Sequence, residues 1–432
     1  MEQRSSDMFY LRTQEAAALP PPAGVGGIWL FMRKTFFTGW ISGPIALVIL
    51  ALLAWIVPDF IRFYVIDAIW IANDGAPCRV AGTGACWAFI DRKIDYFRYG
   101  SYPVAQHWRV DLTLMIGAVL VARLLWVPGE KSRAGLLAFM LGVPLFIFML
   151  IPGPSAVLRD PGVELAVLAC GIGLAGALEF SRLRTAWVGA LFFVAYPILA
   201  VMLLHGSDWL GLARIGTNLW GGIFLSLLVA TVGIVFSLPA GVLLALGRRS
   251  RLPVVRFFSI LYIEFVRGVP FITVLFMANT MLPLFVPEHL TPDRLLRPMI
   301  GFALFAAAYM AEEIRGGLQA IPKGQSEGAM ALGLSYWQMM RLIILPQALT
   351  LVIPGIVNIF ISLFKDTTLV AVVGIFDFLR TVDAARIDPV WSGPTISPTV
   401  YFFAAAFYFI FCFGMSRYSL MMEKRLSAGR RR

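Results

Sequence analysis

Charge is scarce in this chain of 432 residues: only 14% of positions are Asp, Glu, Lys or Arg. The apolar set makes up 59%, and the mean hydropathy is +0.79. Soluble domains run at about 25% charged and about 45–50% apolar. That deficit excludes an ordinary cytosolic enzyme, and the apolar content excludes disorder. Cysteine (4) and histidine (3) are too few and too scattered for a metal framework, so no metal site is read. The dipeptide Gly-Lys is absent. No GxxxxGKS/T loop can therefore cradle ATP phosphates here. No G-x-S-G occurs either, and His107, His205 and His289 all fall between apolar runs, which leaves a buried Ser–His pair without members.

What the chain has instead is long apolar runs. Ten stand out, at 40–57, 112–127, 134–151, 163–180, 185–204, 219–246, 269–286, 299–310, 349–364 and 399–418. A bilayer crossing takes about 17–25 such residues. The pattern predicts an all-α polytopic membrane protein of about ten transmembrane helices. A formal net charge of +11 would suggest nucleic acid in a soluble protein. Here the basic residues sit in short connections between runs, where they report topology, and no nucleic-acid partner is expected. Alternating the connections from an inside N-terminus places roughly two thirds of the 36 Lys and Arg inside. Both termini are expected on the cytoplasmic side.

The expected organisation has four parts: a tail with an interfacial segment (1–38), a membrane extension (39–210), a second membrane region (211–423) and a basic tail (424–432). The extension carries one long outer loop, 58–111. Its Cys78 and Cys86 are close enough in sequence to bridge in an oxidising compartment, although a reduced pair satisfies the spacing equally. In the second region, polar stretches such as 262–270 interrupt the apolar runs.

An inner loop at 314–348 is long for a compact membrane protein, and loops of that length usually have a task. Ser326 is placed to cap a helix over 326–332, with Glu327 in its first turn. Gly333 then breaks the helix, and a second amphipathic helix over 335–345 is expected to end at Pro346. Two short helices at an angle make a docking knob.

These residues also match a known pattern. Glu327-Gly328-Ala329, Gly333, and Ile343-x-Leu345-Pro346 resemble, in every spacing, the EAA loop of ABC importer membrane subunits; Gly328 stands where that family usually has Ala. Tyr262-Ile263-Glu264-x-x-Arg267-Gly268-x-Pro270 is similar to the Y-I-E-x-x-R-G-T-P segment of polar amino-acid importers, with Val269 for Thr. Lys365-Asp366-Thr367-Thr368-Leu369 and Gly221-Gly222-x-x-x-Ser226-Leu227 resemble two further segments of their core. Gly84-Ala85-Cys86-Trp87-Ala88, Tyr102-Pro103 and Trp108-Arg109 look like the extra outer loop of the larger permease subunit of general L-amino-acid importers.

The resemblance implies a five-helix type-1 importer core over 211–423 in a bacterial inner membrane. It implies two separate ABC ATPase subunits holding ATP and Mg, with no cofactor on this chain. It further implies a non-identical second permease subunit, a homodimer being the alternative, and a periplasmic amino-acid-binding protein. Glu327 becomes the candidate for a charge contact with the ATPase, and Gly333 for the turn between coupling helices. Candidate path residues are Asp366, Thr367 and Thr368, followed by Asn279 and Glu264. Glu264 and Arg267 are expected to pair within one helix, and Glu312 and Glu313 to be solvated. An importer narrower for glutamate, glutamine, aspartate and asparagine is the alternative substrate class. An ion-coupled secondary transporter is the alternative of a different kind, and it leaves the EAA spacing unexplained.

Overall fold

A computed structural model describes residues 41–125, 160–180 and 185–430. The tail 1–38 and the apolar run at 134–151 lie outside the described residues. The chain divides into two compact units, Met1–Ala68 and Ile69–Arg432. In the first, α1 (Ser42–Ile61) continues through a π turn, Arg62–Ile66. Its side chains are apolar and exposed nearly all round, as expected of a span whose solvent is lipid.

The second unit is helical throughout. Helices α2 (Trp87–Tyr99), α3 (His107–Leu125) and α4 (Pro161–Phe180) come first. Next, α5 (Thr185–Ala190) and α6 (Tyr196–His205) are joined by a π turn. Then follow α7 (Gly222–Arg248), α8 (Pro253–Gly268), α9 (Phe271–Phe276) and α10 (Leu282–Phe285). The remainder are α11 (Leu296–Gln319), α12 (Lys323–Ala331), α13 (Tyr336–Met339), α14 (Leu345–Asp366), α15 (Phe378–Arg386) and α16 (Ile396–Arg430). Among the described residues, five helices are long and apolar enough to cross a bilayer, or six if the bent pair α8 and α9–α10 counts as one span.

That bent pair corrects the sequence reading. The interruption expected over 262–270 is confined to 268–270: up to Gly268, α8 is a regular helix, and it meets the next segment at 108°. Arg256, Glu264 and Arg267 break the apolar run there but leave the helical period intact. Ser259 and Ile263 are buried, whereas Val254, Phe257, Phe258, Leu261 and Phe265 form an exposed stripe at helical spacing. Pro270 carries no N–H to continue the ladder, and the chain turns at Gly268–Pro270.

Around α7 the core has two ends. At the Arg248 end, Ala245 packs with Ile263, Met310, Ile314, Ile344 and Ala348. At the Gly222 end, α2 of loop 58–111 sits among α7, α15 and α16. Phe89 and Phe97 are fully buried there against Phe378, Phe403 and Trp391, and the buried Tyr99 stacks on His107. The extension and the second region, separated at residue 210 in the sequence reading, thus share one core from Ile69 onward. Gly222 allows the close approach. Its φ is +72°, its N–H reaches Phe376 O at 2.9 Å, and a side chain would strike the Phe97 carbonyl.

Asp377 sits at this junction, fully buried. It caps α15 by accepting the Leu379 and Arg380 amides at 3.0 and 3.1 Å. Burial nevertheless pushes its pKa up to about 7, with Asp383 adding to the shift and Arg380 opposing it. The folded chain holds that proton up to about pH 7, whereas the unfolded chain releases it near about pH 4, so stability falls as pH rises across this window. Asp377→Asn keeps a capping oxygen. It should flatten the pH dependence of the melting midpoint between about pH 4 and pH 7.

Candidate functional site

The residues at 314–348 are not a loop. Helix α11 runs on to Gln319, and α12 begins at Lys323, so Ser326 lies inside α12 rather than at its cap; its hydroxyl donates back to Lys323 O at 2.7 Å. The break after α12 is a glycine-terminated Schellman turn. Leu334 N–H reaches Ala329 O at 3.2 Å, Gly333 N–H reaches Met330 O at 2.9 Å, and Gly333 has φ +72°. Ser335 then opens α13 with a capping box to Gln338.

The second helix does not stop at Pro346. A π turn over Met340–Ile344 carries the chain straight into α14, with Pro346 in its first turn, where the missing N–H costs little. From Tyr336 onward the elbow is therefore the start of a candidate membrane span that runs to Val373. The Gln347 amide donates to Gln325 at 3.1 Å, Ala329 is buried, and Gly317 lies against the Ala348 carbonyl. Facing outward are Glu327 and Gly328, with Met330, Leu332, Tyr336, Trp337 and Leu342 as an apolar patch. Ile343 and Leu345 are partly buried against the core at the Arg248 end. Leu332 is 79% exposed and Trp337 68%, far more than an isolated fold would leave uncovered at one spot.

The expected Glu264–Arg267 pair is replaced by pairs between helices. Glu264 Oε1 binds Arg248 Nη1 at 2.8 Å, while Arg267 lies 3.8 Å from Glu312 Oε2 and over the Tyr309 ring. Glu312 is not solvated, as its side chain is only 23% exposed. It accepts Arg315 Nε at 2.9 Å and lies 3.5 Å from Arg248 Nη1. Three arginines from α7, α8 and α11 converge on one carboxylate beside the bend at Gly268–Pro270. An intrahelical reading of Glu264 could not have found this, since Arg248 and Glu312 belong to other elements.

The path candidates divide differently. Thr367 is fully buried and donates to Phe364 O at 2.8 Å; Thr368 donates to Lys365 O at 2.9 Å; Asp366, at the end of α14, is half-buried. Asn279 lies in a π turn, Met277–Met281, with its Oδ1 buried and lacking a hydrogen-bond partner among the described residues. No hydrogen bond or ion pair joins Asn279 to Asp366, Thr367 or Thr368 among the described residues.

Loop 58–111 accounts for its own motif residues. Cys78 and Cys86 are disulfide-bonded, with Cα atoms 5.7 Å apart. The Arg79 guanidinium donates to Pro389 O, Val390 O and Ser392 O, Thr395 donates to Cys78 O, and Thr399 accepts the Cys86 amide. Trp87 stacks on Trp70 and meets Phe402 edge-on. Tyr102 donates to Leu204 O, His107 bonds Tyr102 O, and Arg109 donates to Ala213 O, each at 2.8–2.9 Å. Lys93 holds Asp388 at 2.5 Å and lowers its pKa. No cluster of metal-ligating side chains occurs among the described residues.

The structure is a polytopic helical bundle whose exposed apolar elbow, turned at Gly333, opens a candidate membrane span. The pattern is that of an ABC importer permease. The chain belongs to the family of inner-membrane permease proteins of amino-acid ABC transporters. The family model described as the inner membrane component of binding-protein-dependent transport systems matches residues 237–428. The chain is 41% identical over 401 residues to the inner membrane amino-acid ABC transporter permease protein YhdY of Escherichia coli (strain K12), covering 93% of this chain and 94% of that protein. It is 41% identical over 449 residues to the glutamate/glutamine/aspartate/asparagine transport system permease protein BztC of Rhodobacter capsulatus, covering 99% and 100%. The glutamate/aspartate import permease protein GltK of Escherichia coli O6:H1 is 36% identical over 183 residues, which cover 41% of this chain and 82% of that shorter protein. This chain is a multi-pass inner-membrane transport protein and not itself an ATPase.

Proposed function

We propose that the chain is the larger permease subunit of an importer of L-amino acids and that it works by alternating access. The observation that carries this reading is the elbow at Gly333. The exposed Tyr336, Trp337 and Leu342 lie on a helix continuous with α14, across the Gly333 turn from Glu327, as a lever driven from outside the chain requires. Two ATPase subunits, which hold ATP and Mg, seat against Glu327, Gly328, Ala329 and the turn at Gly333. The chain itself carries no cofactor. A binding protein delivers the amino acid at the opposite face, and a second, non-identical permease subunit completes the path.

In this reading both termini are cytoplasmic and about ten spans cross the membrane. Residues 39–210 form the extension, 211–423 the type-1 core, 1–38 the N-terminal tail and 424–432 the basic tail. Five core spans correspond to α7, the bent pair α8 and α9–α10, α11, α14 and α16. The narrower substrate set of glutamate, glutamine, aspartate and asparagine is the alternative, supported by similarity to BztC over its full length. Reconstituting the complete complex in proteoliposomes and measuring uptake of radiolabelled L-amino acids tests both. ATP-dependent uptake confined to those four favours the narrow set. Full-speed uptake with the ATPase subunits omitted refutes the reading.

A further inference from the structure

The exposed faces of the spans are not alike. On α1, α6, α7 and α16 they carry side chains such as Leu53, Ile198, Leu243 and Phe409, suited to lipid. On α14 they do not. Between Ile343 and Ala371 no large apolar residue is exposed, and the exposed positions are Pro346, Gln347, Asn358, Ser362 and Lys365. Gln347 is engaged with Gln325 and Ile343 O. The other three polar residues follow Gly355 at intervals of three, four and three, which places all four on one helical face.

Glu313 of α11 extends this face. A Cβ at Gly355 would overlap the Glu313 carboxylate, so the glycine gives the acid its seat on α14. Glu313 and Lys365 have no salt bridge among the described residues, and neither Asn358 nor Ser362 has a side-chain hydrogen bond among them. Polar and ionisable groups in a span cost several kcal/mol against lipid and are tolerated where they face a water-filled path.

We infer that the face Gly355–Asn358–Ser362–Lys365, with Glu313 seated on it, is a wall of the substrate path and binds the amino-acid zwitterion. Its chemistry is that of the ligand. At one end Lys365 donates to the α-carboxylate of a passing amino acid, and at the other the Glu313 carboxylate accepts from its α-ammonium. Between them the Asn358 amide and Ser362 hydroxyl offer both donor and acceptor, so the two charges meet the ligand at successive positions. At 1.5 Å per residue the stripe is about 15 Å long, enough for successive contacts along a passage. This moves the path one helical face away from Thr367, which is buried. The inference rests on the importer reading and specifies its site.

The test uses the complete complex in proteoliposomes, with L-glutamine and L-glutamate as probes. Glu313→Gln and Lys365→Gln should each raise the KM for uptake about tenfold, with a smaller change in maximal rate. In a Cys170→Ser, Cys412→Ser background, Asn358→Cys and Ser362→Cys should react with a charged methanethiosulfonate, and saturating L-glutamine should slow that reaction several-fold. An unchanged KM in both charge variants, in a complex that transports normally, overturns the inference and leaves the importer reading standing. So do cysteines that ignore the reagent but cross-link to the second permease subunit, because the stripe is then a protein seam. No uptake by the unmodified complex overturns the importer reading and this site together.

Discussion

Glu327→Lys is expected to abolish substrate-stimulated ATP hydrolysis by the reconstituted complex while leaving insertion and folding of this chain intact. Glu327 is exposed on α12 and forms no ion pair among the described residues. Its replacement therefore costs the chain's own fold no more than about 0.5 kcal/mol, the usual effect of a surface substitution. At a docking contact, losing one partner of a desolvated charge pair costs about 2–5 kcal/mol, and a reversed charge adds repulsion. A loss of at least about 30-fold in ATPase affinity follows from the lower figure. Co-purification of the ATPase subunits reads the binding, and hydrolysis with and without binding protein and amino acid reads the coupling. Full hydrolysis with the ATPase retained would remove Glu327 from the contact. Gly333→Val should fail differently, because a β-branched side chain is strained at φ +72° and would unwind the turn rather than alter its charge.

The second large effect is expected at Glu312. Replacing it by Leu leaves Arg248, Arg267 and Arg315 facing one another without the carboxylate that gathers them. Losing charge-assisted hydrogen bonds at a site this buried costs roughly 2–3 kcal/mol. Arg248 keeps Glu264, but Arg267 and Arg315 are left beside the bend without the carboxylate they share, which adds to that. The melting midpoint of the detergent-purified complex should fall clearly. By contrast, Glu264→Gln should fall within about 1 kcal/mol of wild type, since that side chain is 54% exposed and its pair with Arg248 is screened. Equal midpoints for the two variants would show that the convergence on Glu312 does not hold α7, α8 and α11 together.

The long apolar runs were legible in the chain because solvent preference is a property of local composition. The same holds for Gly333, since a turn within a few residues is governed by backbone sterics. The start of α12 at Lys323 and the continuation through Pro346 were misread for one reason: a capping residue or a proline permits a boundary without imposing one. Proline in a first turn is as compatible with a helix beginning as with one ending. Helix α8 was not counted among the apolar runs because its signal is a period of 3.6 and its apolar residues are interrupted by three charges.

What the sequence by itself determined is the membrane, the long apolar runs, and the turn at Gly333. Each follows from neighbours in the chain. Tertiary structure alone decided that Arg79 grips carbonyls some 310 residues away, that Glu312 collects three arginines, and that Glu313 occupies the room left by Gly355. Charge and shape complementarity between distant segments exist only once helices are packed. The polar side of α14 likewise becomes meaningful only when its remaining sides are seen to be covered by other helices.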